Sequence, residues 1–168
     1  MVKWIFVDYE RCSGCRICEI ECSYVHEGKV WREVSRIRIL EYIPGVVVPI
    51  VCFQCSERYC LKSCPQDAIY LDSDEITHVN SEKCTGCGVC VSACPAHIPI
   101  MHPEKNYALI CDLCGGEPAC VRICLDLGYN ALRVVETDDI NRNLYLRDVL
   151  DVAEELREAL YGNSGEKS

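Results

Sequence analysis

The chain has 168 residues, of which 49% are hydrophobic, 26% are charged and 16 are cysteine. This length suffices for one domain or two small ones. The net charge of −9 argues against a nucleic-acid partner, because no basic stripe is present to neutralise phosphates. The most apolar run, Ile43 to Phe53, contains two prolines and is far shorter than the roughly 20 residues of a membrane-spanning helix.

Cysteine makes up almost a tenth of the chain, which indicates a scaffold held by disulfides or by metal. The N-terminus does not resemble a secretory signal: its apolar stretch is broken at Asp8, and neither a cleavage site nor a twin-arginine pair follows. We therefore expect a cytoplasmic protein, whose thiols stay reduced and are free to bind metal.

The N-terminal part is predicted to contain strands around a first cysteine group. Val2 to Asp8 is typical of a strand. It leads into group one, which comprises Cys12, Cys15, Cys18 and Cys22. Residues 24–51 form an insert without metal-ligand spacing, in which Val34 to Leu40 alternates like a strand and Pro44-Gly45 predicts a turn. Its arginines Arg32, Arg36 and Arg38 are expected on an exposed strand face, with docking of an acidic partner as the alternative.

The middle of the chain repeats one plan twice. Group two comprises Cys52, Cys55, Cys60 and Cys64, and group three comprises Cys84, Cys87, Cys90 and Cys94. After group two, the runs 67–71 and 76–79 flank an acidic turn and predict a β-hairpin. After group three, the runs 98–101 and 107–110 predict another. Groups two and three therefore form an inner unit over about 52–110.

The C-terminal part closes an outer unit. Group four comprises Cys111, Cys114, Cys120 and Cys124. The predicted strand 131–136 is expected to pair antiparallel with the N-terminal strand, which joins residues 1–23 to 111–136. Residues 137–162 are predicted to hold an amphipathic helix, capped by Asp138 or Asp139, and residues 163–168 a disordered tail. The predicted fold class is α+β: two nested units in domain 1–136, with short hairpins and helices, plus the C-terminal helix.

The spacing of the cysteines favours iron and sulfur over zinc. Each group begins with C-x-x-C, and its first three cysteines fall within seven to ten residues. Structural zinc usually takes two well-separated C-x-x-C knuckles, whereas three crowded thiolates suit three corners of a cubane. Glycines between the ligands, such as Gly14, Gly86 and Gly88, allow tight loops.

The run from Cys84 to Pro95 resembles bacterial ferredoxins, because it matches their C-x₂-C-x₂-C-x₃-C-P pattern at every position. In two-cluster ferredoxins the fourth cysteine binds the other cluster. Applied to both units, this resemblance implies four [4Fe–4S] clusters at four sites. Site 1 is Cys12, Cys15, Cys18 and Cys124; site 2 is Cys22, Cys111, Cys114 and Cys120; site 3 is Cys52, Cys55, Cys60 and Cys94; site 4 is Cys64, Cys84, Cys87 and Cys90. We expect the order along the molecule to be one outer site, the two inner sites, then the other outer site.

The widened runs CFQCSERYC at 52–60 and CDLCGGEPAC at 111–120 make a further resemblance specific. Together with the four groups, they resemble the four-cluster iron–sulfur subunits typified by the B subunit of dimethyl sulfoxide reductase, over residues 1–136. The small size and single extra helix are most similar to the small subunit of heteromeric tungsten-pterin aldehyde oxidoreductases. Ser23 and Leu125 depart from the pattern, because the inner groups have proline after the fourth cysteine.

This resemblance implies a non-catalytic subunit that relays electrons between a large tungsten- or molybdenum-pterin oxidoreductase subunit and ferredoxin or a similar acceptor. The sequence contains no nucleophile elbow, P-loop or dinucleotide motif. Four histidines, His26, His78, His97 and His102, lack metal-binding spacing and are expected to pack or lie at the surface.

Several alternatives remain open at this point. The chain fits a free-standing polyferredoxin, or an electron-transfer subunit of a carbon monoxide dehydrogenase, hydrogenase or formate dehydrogenase. A zinc-scaffolded interaction module is a further alternative. The C-terminal helix fits either an anchor for a partner or a lid over the cysteine-rich core.

Overall fold

A computed structural model describes residues 2–137 and 145–162, with Thr137 described through its backbone only. The strands are β1 (Val2–Val7), β2 (Arg38–Ile43), β3 (Val46–Ile50), β4 (Ile69–Leu71), β5 (Thr77–Val79), β6 (Ile100–Met101), β7 (Ala108–Leu109) and β8 (Leu132–Thr137). The helices are α1 (Ile17–Glu27), α2 (Tyr59–Lys62), α3 (Val89–Ala93), α4 (Ala119–Asp126) and α5 (Val149–Tyr161). The strands form two-stranded sheets, and the helices are mostly short, so the predicted mixed α and β composition is confirmed.

Strands β1 and β8 join the two ends of the cysteine-rich part of the chain. They pair antiparallel in an unbroken register from Val2 opposite Thr137 to Val7 opposite Leu132. Trp4 and Ile5 of β1 are fully buried, and Trp4 packs at 5.2 Å between ring centroids against Tyr145. The predicted strands and their antiparallel pairing are therefore confirmed.

Two hairpins follow groups two and three. Strand β4 pairs with β5, and β6 pairs with β7, both antiparallel. Asp72 shapes the first turn, because its Oδ1 accepts hydrogen bonds from the backbone N–H groups of Asp74 and Ile76, each at 2.9 Å. Both hairpins are confirmed, although their ladders are only three and two residue pairs long.

The insert forms a third hairpin, β2–β3, but its first strand starts later than predicted. Residues Arg32–Val34 form a 3₁₀ turn, and β2 begins at Arg38. Ser35 explains the delay: its Oγ donates to the carbonyl of Ile37 at 2.5 Å and accepts from the N–H of Ile37. This local bonding competes with a strand ladder, so the strand predicted from Val34 is wrong over its first residues.

Helix α5 packs against this insert. Ala153 of α5 is buried with Val46 and Val48 of β3, and the Tyr161 hydroxyl donates to the carbonyl of Pro44 at 2.7 Å. The helix begins after Asp148, whose side chain accepts from the N–H of Leu150 at 2.8 Å. The predicted caps at Asp138 and Asp139, and the tail 163–168, lie outside the described residues.

The insert arginines do not share one strand face: only Arg38 lies on β2, and Arg32 lies in the 3₁₀ turn, where it is about half exposed. Arg32 binds the buried Glu19 with its Nε at 2.6 Å, and Arg36 pairs with Glu27.

Within the described ranges, none of the helices has the length and apolar composition needed to cross a bilayer.

Candidate metal centres

The four cysteine groups share one loop geometry. The residue immediately before the second cysteine has a positive φ in every group: 72° at Gly14, 50° at Gln54, 73° at Gly86 and 53° at Leu113. Glycine adopts this conformation freely, whereas Gln54 and Leu113 are strained there. Both are fully buried, so packing holds them. Sequence reasoning found the glycines and missed the other two.

Each group then enters a short helix that carries or borders its last two cysteines. Cys18 and Cys22 lie on α1, and Cys120 and Cys124 lie on α4. Helix α1 packs against α4, and α2 packs against α3. Because the third and fourth cysteines of a group are one turn apart, one helix supplies thiols to two adjacent sites.

The structure brings together the cysteines of each predicted set. One cavity is lined by the four of site 1, another by the four of site 3, and a third by the four of site 4. At site 2, Cys22, Cys114 and Cys120 lie within electrostatic reach of one another, as do Cys22, Cys111 and Cys120. The surroundings are mainly apolar, with Ile123 and Leu132 at site 1.

Burial makes these thiols hard to ionise on their own. It raises the pKa of Cys18 and of Cys60 to about 12. Neighbouring cysteines add to the increase at both, as does Glu19 at Cys18. The pKa values of Cys111 and Cys120 are raised well above the ordinary range by burial first and then by other cysteines. Four crowded thiolates therefore need a cationic group among them. An iron–sulfur cubane, which takes four thiolates, fits this donor set.

Cys22 differs from the other buried cysteines. Burial raises its pKa, but hydrogen bonding to His26 and to the N–H of Arg36, whose nitrogen lies 3.2 Å from Sγ, outweighs burial and lowers it. His26 Nδ1 is 2.8 Å from the carbonyl oxygen of Cys22, and its Nε2 is 3.0 Å from Asp112 Oδ1. Sequence reasoning assigned no such contact to His26, although its position four residues after Cys22 on a helix was a usable signal.

The side chains of the remaining histidines contact residues other than cysteine. His78 binds Asp72 at 2.8 Å beside the first hairpin turn, and His97 Nε2 is 3.9 Å from Asp148. His102 is buried, and its Nδ1 accepts from the N–H groups of Glu104 and Lys105. These contacts agree with the packing and surface roles predicted for them.

The sites follow one another in an order that corrects the prediction. Cys120 of site 2 lies within electrostatic reach of Cys18 of site 1, and Cys111 of site 2 within reach of Cys52 of site 3. Cys60 of site 3 and Cys90 of site 4 are likewise neighbours. The two outer sites are therefore adjacent, followed by the two inner sites, and the predicted outer–inner–inner–outer order is wrong.

Solvent reaches the two ends of this series. Of the sixteen cysteines, Cys15 of site 1 and Cys87 of site 4 are exposed, and all others are half-buried or buried. The terminal sites thus each present one cysteine at the surface, while the cysteines of sites 2 and 3 are all half-buried or buried.

Two models of known protein families match the chain. Residues 51–98 match the 4Fe-4S dicluster domain, and residues 9–25 match a 4Fe-4S binding domain. The first match contains groups two and three, and the second contains group one.

Named relatives are subunits of oxidoreductases. The chain is 47% identical, over 133 residues, to the polyferredoxin-like subunit of the aliphatic sulfonate oxidoreductase of Pyrococcus furiosus. The alignment covers 79% of this chain and 77% of that one. It is 32% identical, over 141 residues, to the B subunit of the anaerobic dimethyl sulfoxide reductase of Haemophilus influenzae, covering 71% and 68%. It is also 33% identical, over 150 residues, to the formate dehydrogenase iron–sulfur subunit of Haemophilus influenzae. That alignment covers 70% of this chain and only 47% of the relative.

Among solved structures, one protomer of the BamBC active-site complex of benzoyl coenzyme A reductase with benzoyl-CoA is similar at a TM-score of 0.49 and 25% identity. The alignment covers 96% of this chain and 92% of that one.

Proposed function

Because this protein belongs to the family of polyferredoxin-like iron–sulfur subunits of oxidoreductases, which includes the B subunit of dimethyl sulfoxide reductase, we propose that it carries four [4Fe–4S] clusters in series. The family members are electron-transfer subunits, and this protein is one of them rather than a catalytic subunit. The observation that carries the proposal is the gathering of sixteen thiols into four sets of four.

In this proposal each set of four thiolates holds one cluster. Cys12, Cys15, Cys18 and Cys124 hold the first; Cys22, Cys111, Cys114 and Cys120 the second; Cys52, Cys55, Cys60 and Cys94 the third; Cys64, Cys84, Cys87 and Cys90 the fourth. A bound cluster supplies one-electron redox chemistry. The protein keeps water away with apolar walls and directs backbone N–H groups at the sulfurs, such as that of Ala68 at 3.3 Å from Cys64 Sγ.

The division into units follows from the same ligand sets. The inner unit, about 52–110, contains sites 3 and 4, and the outer unit, 1–23 with 111–136, contains sites 1 and 2. The insert 24–51 lies between them in sequence, and the C-terminal segment 137–162 contributes α5. The side-chain Nε2 of Gln54 donates to the carbonyl of Cys111 at 2.8 Å, which supports a short path from site 2 to site 3.

The exposed ends favour entry and exit at sites 1 and 4. Cys15 and Cys87 lie at the surface of the two terminal sites, so a partner docked at either end approaches a cluster closely. One end serves a catalytic subunit and the other an acceptor such as ferredoxin. The relatives are subunits of a sulfonate oxidoreductase, a formate dehydrogenase and a dimethyl sulfoxide reductase, which supports a catalytic oxidoreductase subunit as one partner. From the sequence resemblance, we favour a tungsten-pterin aldehyde oxidoreductase.

Anaerobic purification from the native source tests the partner. After size-exclusion chromatography, we expect the brown protein to co-elute with a large subunit that contains tungsten or molybdenum. Elution of the iron-loaded protein alone would instead favour a free-standing polyferredoxin. A colourless protein containing zinc would overturn the iron–sulfur function itself.

A further inference from the structure

Arg58 is a buried cation without a carboxylate partner in the described part of the chain. It is only 8% exposed, and it occupies the loop between Cys55 and Cys60. Its guanidinium donates to Gln54 Oε1 and Thr77 Oγ1, both at 2.9 Å, and to the carbonyl of Glu75 at 2.5 Å. All three acceptors are neutral.

Arg38 has the same character on another side of site 3. It is half-buried, and its guanidinium donates to the carbonyls of His97 and Ile98, both at 3.0 Å. These residues follow Cys94. Burial raises the pKa of Cys94, and backbone N–H groups of Ile98, Ala96 and His97 act against that increase. Arg38 therefore holds the loop that wraps a thiol of site 3.

The other arginines behave differently. Every other arginine in the part of the chain that the structure describes forms an ion pair with an Asp or Glu carboxylate. Glu19 is the carboxylate that raises the pKa of Arg38. It is buried and already bound by Arg32 and by the N–H of Ile39 at 2.7 Å. Two arginines without a carboxylate partner among the described residues thus bond to segments that carry cysteines of site 3: Arg58 to the side chain of Gln54, which precedes Cys55, and Arg38 to the carbonyls that follow Cys94.

An unpaired cation inside a protein is costly, and an anion nearby is the usual compensation. Burial lowers the pKa of Arg38, while Glu19 and Cys94 oppose that change, so its charge lies within reach of a site 3 ligand. A cubane held by four thiolates supplies negative charge at the required place. One-electron reduction adds a further negative charge and breaks no bond, so nearby cations favour the reduced cluster.

We propose that Arg58 and Arg38 are the internal counter-ions of the cluster at site 3 and raise its reduction potential. They are positioning and tuning residues, since neither is a ligand. The inference rests on the proposed function, because it requires a cluster at site 3. It goes beyond that function by assigning counter-ions to one cluster.

A redox titration followed by electron paramagnetic resonance tests the proposal on the anaerobically purified protein. The variants are Arg58→Gln and Arg38→Gln, with Arg58→Lys to keep the charge. Arg122→Gln is the control, because Arg122 is exposed on α4 and paired with Glu21. The substitution Cys55→Ser, which alters a site 3 ligand, identifies the spectral component of that cluster.

Both glutamine variants are expected to lower the midpoint potential of the site 3 component. Each should lower the equilibrium constant for its reduction by about tenfold, which equals about 59 mV for one electron. Arg58→Lys should retain most of the wild-type potential, and Arg122→Gln all of it.

The proposal is overturned by unchanged midpoint potentials, by shifts of two different components, or by an Arg58→Lys shift as large as that of Arg58→Gln. If Arg58→Gln loses iron, Arg38→Gln and Arg58→Lys decide by the same criteria. Iron content separates the two levels: a wild-type protein without iron contradicts the proposed function, whereas iron-loaded variants with unmoved midpoints contradict only this inference.

Discussion

At the scale of single residues, buried polar groups tie the insert to the cysteine-bearing helices. Glu19 follows Cys18 on α1 and is 3% exposed. Its Oε2 accepts from Arg32 Nε at 2.6 Å, and its Oε1 accepts from the N–H of Ile39 at 2.7 Å. The carboxylate thereby satisfies a strand N–H that no water can reach, so its loss leaves a buried donor without an acceptor.

We therefore expect Glu19→Ala to reduce stability by about 2 kcal/mol, the cost of losing a charged hydrogen bond, discounted because Arg32 is about half exposed. For a protein of this size, that corresponds to a fall of roughly 4–8 °C in melting temperature. Glu21→Ala on the same helix is the matched control, since its pair with the exposed Arg122 contributes little. Equal melting temperatures for the two variants would contradict this role of Glu19.

His102 gives a pH dependence away from the cysteine sites. Burial lowers its pKa below the ordinary 6.5, helped by Lys105 and Arg36 and opposed by Glu27 and Glu104. Its Nδ1 accepts two N–H groups, and its buried Nε2 lacks a hydrogen-bond partner among the described residues. Below pH 6.5 the unfolded state binds this proton and the folded state resists it. Stability from neutral His102 is thus present above pH 6.5 and is lost on acidification.

The expected loss is at most about 1.4 kcal/mol per pH unit below 6.5 for this single proton. Melting temperatures of the anaerobic holoprotein at pH 7.5 and pH 5.5 measure it. His102→Asn removes the titrating group while its amide oxygen still offers an acceptor, so the variant should show a smaller drop between the two pH values. An identical drop in both proteins would contradict the assignment.

At the scale of elements, the tight ligand loops depend on left-handed backbone. Gly86 and Gly88 both have φ values near +74° and flank Cys87. A Cβ at Gly86 would lie 3.2 Å from the backbone Cα of Asn106, whereas a Cβ at Gly88 would meet nothing within 4 Å. The two glycines therefore share one backbone strain and differ in packing.

Gly88→Ala is expected to cost about 1 kcal/mol from backbone strain alone, and Gly86→Ala clearly more, because the hairpin backbone must also move. Iron retained per protein during a urea titration reads out both effects, and Gly86→Ala should release iron at the lower urea concentration. If Gly88→Ala released iron first, steric contact with Asn106 would not be the deciding factor.

The same elements show how far sequence reasoning reaches. The hairpins after groups two and three were predictable because apolar runs flank turn residues such as Asp72. The start of β2 was not, because Ser35 bonds its own neighbour Ile37 rather than a strand partner. The strained φ at Gln54 and Leu113 also escaped prediction, since burial by distant residues, and not local preference, holds those positions.

At the scale of the whole molecule, the grouping of the thiols into four sets was predictable and the order of the sets was not. The position of each fourth cysteine pairs sites within a unit, but nothing in that spacing indicates how the two units meet. The structure makes the junction between Cys111 and Cys52, close to the Gln54 hydrogen bond. This junction places the exposed cysteines Cys15 and Cys87 at opposite ends of the series.

Four clusters per protein form the proposed electron path. Iron and acid-labile sulfide, measured against protein concentration after anaerobic purification, test this most directly. We expect about 16 iron and 16 sulfide per protein, the content of four [4Fe–4S] clusters. About eight of each would mean that only one two-cluster unit forms, and would contradict the account.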